Sequence, residues 1–382
     1  MVRSEGRSNL NYQRCTKTVM DNIADPSITF DENGICNYWY DYKKKASELV
    51  IHGKEGAEKW QTVVNDIKLG AKNKKYDCII GVSGGVDSTY VAYLVKEAGL
   101  RPLVVHFDNG WNSEIAVQNI NNIIDYLDAD LYTLVVDWEE FKDLQRAYIK
   151  AGVVDIEVLT DHAIYGTLYK LANKHKIKYV ISGSNVETEE LLPKAWIFNK
   201  TDSINIKSIH AQYGELKLKT YPLFTIFNKK YYFNLMKLKF INPINWQAYN
   251  LKEARRIIES EIGWKDYGGK HHESVFTKFY QNYILPQKFK IDKRKAHLSN
   301  LICSGQLSRE EALKKLKEPL YDPKELIEDK AFVIKKLGFT EEEFDDIMEA
   351  VPKSHNDFET EGVIENHYPF IKPFKAVYRL FK

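Results

Sequence analysis

The sequence predicts an α/β protein built on a mostly parallel, doubly wound sheet. Three observations carry that expectation. Short apolar runs alternate with helix-length segments between residues 76 and 183, a glycine pair sits where one run gives way to a helix, and the chain turns helical from about residue 251. YDCIIGV (76–82), PLVVHFD (102–108), LYTLVVD (131–137) and KYVISG (178–183) read as strands. Near-continuous apolar runs of this kind mark strands covered on both faces. Between and before them, Ser88–Ala98, Ser113–Leu127, Trp138–Lys150 and His162–His175 read as helices. Ligands are expected at the carboxyl ends of such strands.

The flanks are organised differently. Residues 1–72 read as an irregular segment followed by a helix near Gly56–Leu69, where Trp60, Val63, Val64 and Ile67 recur at helical spacing. Residues 73–250 hold the sheet, although 186–250, rich in lysine and aromatics, show few clear periods. Residues 251–382 read as a helical C-terminal domain that completes the site. Asp322-Pro323 marks a helix start, and Gly338 a helix stop. Ser308/Glu311 and Thr340/Glu343 have capping-box spacing.

Composition narrows the function classes. The chain has 382 residues, 44% hydrophobic and 28% charged, a globular balance with enough apolar material for a sizeable core. A net charge of +2 argues against nucleic acid as the main partner. No apolar run has the length of a membrane span, and the N-terminus lacks a signal peptide's apolar core, so a cytoplasmic protein without a membrane partner is expected. Four scattered cysteines do not form a disulfide framework.

The chemistry begins at GVSGGVDS (81–88), which follows a strand and opens a helix. Glycines let the backbone approach a ligand closely, and amides at a helix start face negative charge. The loop is neither G-x-G-x-x-G nor G-x-x-x-x-G-K-[ST], and it has no lysine to reach a γ-phosphate. Val82, Ser83, Gly84, Gly85, Val86, Asp87 and Ser88 are therefore expected to hold phosphate in another way. S-G-G-x-D-S resembles the PP-loop of ATP pyrophosphatases, a resemblance that implies ATP cleaved between its α- and β-phosphates. Asp87 is then the natural magnesium partner, with Glu187 a second carboxylate for magnesium, while Glu187 and Glu190 also suit ammonia. Two further strand ends suit the same ligand: Phe107, Asp108 and Asn109 after the second strand, and Gly183, Ser184 and Asn185 after a later one.

Longer phrases narrow the resemblance. SITFDENGICN (27–37), VVDWEEFKDLQRA (135–147), TDHAIYGTLYKLA (160–172), SGSNVETEELLPKAW (182–196), YGGKHHESVFTKFYQ (267–281) and DKRKAHLSNLICSGQLSREEAL (292–313) together resemble the N-acetyl sugar amidotransferases of bacterial O-antigen and flagellin sugar biosynthesis. The resemblance spans about residues 15–320. It implies ATP- and magnesium-dependent conversion of a sugar's acetamido group to an acetamidino group. It also implies ammonia from a separate class I glutaminase subunit and an N-acetylated sugar, free or nucleotide-linked, as substrate. Val2 after Met1 leaves no N-terminal cysteine nucleophile, so no glutaminase is expected within the chain.

Within that reading, Lys270 suits the β/γ-phosphates and Arg294 a phosphate clamp, with His297 one turn on. Asp161 and His162 are candidates to position or deprotonate ammonia. Trp196, Asp202 and Asn205 fall in a stretch suited to sugar recognition, and His271 and His272 would face substrate beside Lys270. The family usually carries two CxxC pairs as a zinc site. Here Thr18 and Trp39 stand in two of the four cysteine positions, leaving Cys15 and Cys36. No structural zinc is expected, and aromatics such as Trp39 and Tyr40 are expected to hold that lobe. Cys78 reads as a small buried hydrophobe. Two other readings remain open: a PP-loop tRNA-modifying enzyme, favoured by the lysines of 200–295, and a non-catalytic nucleotide-binding scaffold.

Overall fold

Alternation with a period of two decides which way each strand residue faces, and here both faces are apolar. The computed structural model describes residues 11–270 and 272–362. Strands β1 (Cys78–Gly81), β2 (Pro102–Asp108), β3 (Leu131–Val135), β4 (Tyr179–Ile181) and β5 (Lys239–Ile241) form one sheet in the order β3-β2-β1-β4-β5. Every pair is parallel, with Ile79 opposite both Leu103 and Val180. On one face, Cys78, Ile80, Val104 and Ile181 pack with Val64, Ile67, Val91, Ile123 and Ile258. On the other, Ile79, Leu103, Val105 and Val180 meet Leu168, Tyr169, Leu171 and Phe224. The four strands expected from sequence are present, and the doubly wound α/β class holds.

The helices start and stop where local chemistry dictates. Ser113 caps Glu114–Leu127 by accepting the Ala116 amide, and Asp137 caps Trp138–Ala151 by accepting that of Glu140. Asp322 accepts two amides at the start of Pro323–Leu337, which ends on Gly338 at φ +71°. Both expected capping boxes form, at Ser308/Glu311 and Thr340/Glu343. The segment 186–250, which resisted reading, contains β5 among elements mostly three to five residues long. Such elements are too short to show a period. The C-terminal helices join residues 11–36 and helices Trp138–Ala151 and Ser203–Tyr213 in one large core, with Trp111, Tyr148, Phe279, Tyr280 and Phe344 fully buried.

The N-terminal lobe is built on its two cysteines. Cys15 Sγ accepts the amides of Thr18 (3.4 Å) and Cys36 (3.2 Å), and the Thr18 hydroxyl lies 3.6 Å from Cys36 Sγ. Trp39 packs against the large core, but Tyr40 does not: it is exposed and donates to Asp31. Met20, Ile28, Tyr42 and Trp196 fill the role expected of Tyr40. Cys78 is buried within β1.

One close approach is a test of the packing. In helix Val158–His175, a Cβ on Gly166 would sit 2.3 Å from the Pro222 carbonyl oxygen. Alanine gains about 1 kcal/mol of helix propensity, whereas forced overpacking costs about 1–3 kcal/mol. Gly166→Ala is therefore expected to lower the denaturation midpoint, as read by urea unfolding. An unchanged or raised midpoint would show that residues 221–224 do not press on this helix.

Candidate active site

β1 has β2 on one side and β4 on the other, so the crossovers diverge there and open a crevice at the strand ends. The loop Ser83-Gly84-Gly85 enters that crevice and leads into helix Val86–Glu97. Gly84 adopts φ +80°, and a Cβ there would lie 2.8 Å from the Ala116 carbonyl. Its own carbonyl accepts Trp264 Nε1 (2.8 Å) and Asn119 Nδ2 (3.3 Å). The Ser83 and Gly85 amides meet only hydroxyls, at 3.4 and 3.3 Å. These bonds are long against an ordinary N–H···O distance of about 2.9 Å, so an anion accepting from the same amides would improve on them.

The β4 end closes on this loop. A Cβ on Gly183 would lie 2.9 Å from the Asp87 carbonyl carbon, so glycine is required for the two turns to meet. Asn185 caps the short helix Val186–Glu189 through the Thr188 amide. Asp87 receives the Tyr249 hydroxyl, and its negative charge together with burial pushes the tyrosine far above its usual range. Ser184 bonds Ser182. At the β2 end, Asp108 accepts the Gly110 amide and Asn109 reaches Thr160 Oγ1 at 3.4 Å. Phe107 packs edge-on against Phe141. Val82 and Val86 are buried beneath the loop in the core of one sheet face.

Lys270 crosses from the C-terminal side of the crevice. Its ammonium pairs with Glu189 at 3.2 Å and donates to the Thr188 carbonyl at 3.2 Å. Burial lowers its proton affinity, but Glu189, Asp87 and Glu273 outweigh that and hold it charged. Glu273 and Tyr267 both approach Gly85. Glu187 is buried, its carboxyl pushed up to about 7 by desolvation, and it meets His52 (3.1 Å) and Gln306 (3.3 Å). Glu190 pairs with Lys45 at 3.6 Å.

Other residues expected in the site do structural work. His162 is fully buried between Tyr221 and Phe224. Its Nε2 accepts the Phe224 amide, leaving Nδ1 to donate to the Lys200 carbonyl, and burial lowers it to about 4. A neutral ring with both nitrogens engaged takes no proton at neutral pH. The Arg294 guanidinium holds Asp292 (2.8 Å) and the Glu318 carbonyl (2.8 Å), which ties two C-terminal segments together. His297 lies one turn on in helix Arg294–Cys303, partly exposed. Trp196 is core and donates to the Ala24 carbonyl. Asp202 caps helix Ser203–Tyr213, and Asn205 donates to the carbonyls of His355 and Glu359, so both are buried anchors of the 355–361 segment. His271 lies outside the described residues. His272 faces Asn282 at 3.0 Å.

Asp161 is in a cluster the sequence did not single out. Lys200 bridges it (3.1 Å) to buried Asp155 (2.9 Å), and Glu157 and Lys293 stand beside them. Tyr249, Trp264, Asn119, Tyr267, Glu189 and Glu273 were likewise not foreseen. Among the described residues, no group of three or more His, Cys, Asp or Glu is arranged to hold a metal ion, and no helix is long and apolar enough to cross a membrane.

Comparison with known proteins adds five findings. Residues 273–372 match the family described as LPS biosynthesis protein WbpG-like, C-terminal domain. An uncharacterized protein of Methanocaldococcus jannaschii is 26% identical over 282 residues, covering 71% of this chain and 84% of that one. The tRNA(Ile)-lysidine synthase of Chlamydia muridarum is 25% identical over 146 residues, 38% of this chain but only 42% of that enzyme. Among solved structures, NMN synthetase from Francisella tularensis aligns over 60% of this chain and 92% of its own, at 15% identity and a TM-score of 0.29. NH3-dependent NAD synthetase from Campylobacter jejuni aligns over 43% and 63%, at 19% identity and a TM-score of 0.28. The Ser83–Ser88 loop at the β1/β4 crevice, with the synthase match, supports a PP-loop ATP pyrophosphatase-type protein, and residues 273–372 are similar to the WbpG-like C-terminal domain.

Proposed function

We propose that this chain is an ATP-dependent amidotransferase that adenylates an N-acetyl group of a bacterial sugar and replaces its oxygen with nitrogen from ammonia. AMP and pyrophosphate leave, and an acetamidino sugar remains. One observation carries the reading: the ATP-type loop and the region similar to a lipopolysaccharide-biosynthesis family build one crevice, with Glu273 against Gly85 and Lys270 held by Glu189. An amide carbonyl is a poor electrophile, and transfer of AMP to its oxygen supplies a leaving group that ammonia can displace. The loop amides and Lys270 suit the departing pyrophosphate, where charge accumulates as the bond breaks. Asp87 would hold a magnesium ion that neutralises the phosphates, and Glu187 is proposed as a second carboxylate for it. Ammonia is proposed to come from a separate glutaminase subunit.

The decisive assay incubates the chain with radiolabelled ATP, ammonium and N-acetylated sugars, free and UDP-linked. AMP and pyrophosphate formed only when sugar and ammonium are both present support the reading, as does a product lighter by about one mass unit. Stimulation by tRNA instead would favour a lysidine synthase-like activity, and ATP binding without turnover a scaffold. Glutamine used without any partner would remove the glutaminase from the scheme.

Two substitutions follow. Lys270→Met is expected to slow pyrophosphate release at least about 100-fold, the scale for removing a charge-stabilising donor. Tyr249→Phe removes one hydrogen bond to a carboxylate and is expected to slow the same step about tenfold, since such bonds carry about 1.5 kcal/mol. Full activity in either variant would detach that residue from the phosphate site.

A further inference from the structure

The cluster around Glu157 has no role in ATP binding, yet it adjoins the loop. Glu273 reaches towards Gly85, and its neighbour Ser274 lies 3.0 Å from the Thr277 hydroxyl, which is also 3.3 Å from a Glu157 oxygen. From the other side, Asn109 at the β2 end contacts Thr160, one turn along the helix that follows Glu157. Glu157 is thus joined through the Thr277 hydroxyl to Ser274, the chain neighbour of Glu273, whose carboxylate approaches Gly85. It is partly reached by solvent although protein surrounds it closely, as expected of a residue in a concave wall.

Charged groups face Glu157 from every neighbouring element. Asp155 and Asp161 are on its own segment, Lys200 comes from the 197–202 turn, and Lys293 and Tyr280 from the C-terminal region. Lys200 is committed to Asp155 and Asp161. Lys293 makes no ion pair among the described residues, and burial lowers its proton affinity, while burial and Asp161 raise the Glu157 carboxyl to about 7. An acid pushed up and a base pushed down across one gap is the arrangement of an acid–base site. Two other candidates are already engaged: His162 uses both nitrogens, and Glu187 meets His52 and Gln306.

We propose that Glu157 accepts the proton from the incoming nitrogen nucleophile, within the cluster it forms with Thr277, Lys200 and Lys293. The inference rests on the amidotransferase reading. Ammonium gives one proton to the Glu157 carboxylate, and the freed lone pair forms the new C–N bond at the adenylated imidate carbon. The C–O bond to AMP then breaks, with its electron pair leaving on the phosphate oxygen. If the imidate nitrogen is unprotonated, the product amidinium keeps the three remaining hydrogens and the balance closes. The Thr277 and Ser274 hydroxyls give the accepted proton a route onward.

The two half-reactions separate the possibilities. ATP–pyrophosphate exchange, driven by a UDP-linked diacetamido hexose, reads activation alone, and amidine formation with ammonium chloride reads the whole reaction. Glu157→Gln is expected to keep exchange within about twofold while amination falls about 100-fold, the scale of a lost general base. In the wild type, amination rises as pH passes through about 7, because the carboxylate is the active form above that point. In Glu157→Gln the inflection near 7 should vanish, leaving only the steady rise that free ammonia itself imposes, and it should persist, at lower amplitude, in Glu157→Asp. Hydroxylamine, which is unprotonated at neutral pH, should recover most of the Glu157→Gln loss.

A further readout does not depend on turnover. A carboxyl whose folded pKa is raised destabilises the fold as pH climbs from 4.5 to about 7 and adds nothing more above, so Glu157→Gln should lose that slope in thermal denaturation. Equal loss of exchange and amination, or unchanged amination and pH profile, overturns the proposal and leaves the amidotransferase reading standing. Absence of sugar-dependent exchange in the wild type overturns that reading and this inference with it.

Discussion

The hydrogen bonds to the Gly84 carbonyl organise the rest of the site. Trp264 and Asn119 bind that oxygen from opposite directions, one from the segment after helix Leu251–Ile262 and the other from helix Glu114–Leu127. Asn119 also pairs with the backbone of Lys265 through both of its side-chain atoms, at 2.8 and 2.9 Å. The carbonyl is thus held away from the crevice, and the left-handed torsion of Gly84 becomes the conformation the surroundings require. The 264–273 segment, which carries Lys270 and Glu273, is fastened to the same point. Loop and lysine therefore share one anchor, and a change at Trp264 would reach both.

That anchor explains the electrostatics of the crevice. Lys270 lies among Asp87, Glu189 and Glu273, three acids against one cation. Without ligand, the carboxylates hold the lysine in place. A polyphosphate would bring further negative charge, and a divalent cation on Asp87 would redistribute it. The strong field here contrasts with the nearly neutral chain as a whole, since only side chains brought together by the fold are close enough to act without screening.

Legibility in the sequence followed the range of the interactions. Strands, caps and the glycine loop depend on neighbours a few residues away, so β1–β4, the Asp322 cap and the Ser83–Ser88 turn were readable. Lys270 was readable through its glycine pair. Arg294, Asp202 and Asn205 are polar residues of the kinds that bind ligands, but each also serves backbone groups of a distant segment, which no local pattern announces. His162 is the same case, because its ring is tied down by Lys200 and Phe224 far along the chain. Glu157 carries no motif. Its character comes first from burial and then from Asp161, against the pull of Lys200 and Lys293, and burial and the two lysines depend on segments far along the chain.

The N-terminal lobe shows how a change of residue type can be absorbed by packing. Cys36 donates to Cys15 and holds the Cys15 thiol below its ordinary range, while Thr18 supplies both an amide and a hydroxyl to the pair. From outside, Arg309 donates to the Thr18 carbonyl (3.0 Å) and the Cys15 carbonyl (2.9 Å), and Lys295 pairs with buried Asp21 at 2.6 Å. Two thiols with a hydroxyl fall short of the four donors a closed zinc site needs. What holds this turn is a pair of cations, Lys295 in the first turn of helix Arg294–Cys303 and Arg309 beyond its end, and that helix begins next to Lys293. The lobe is thus fastened to the helix whose cap, Lys293, lies beside Glu157.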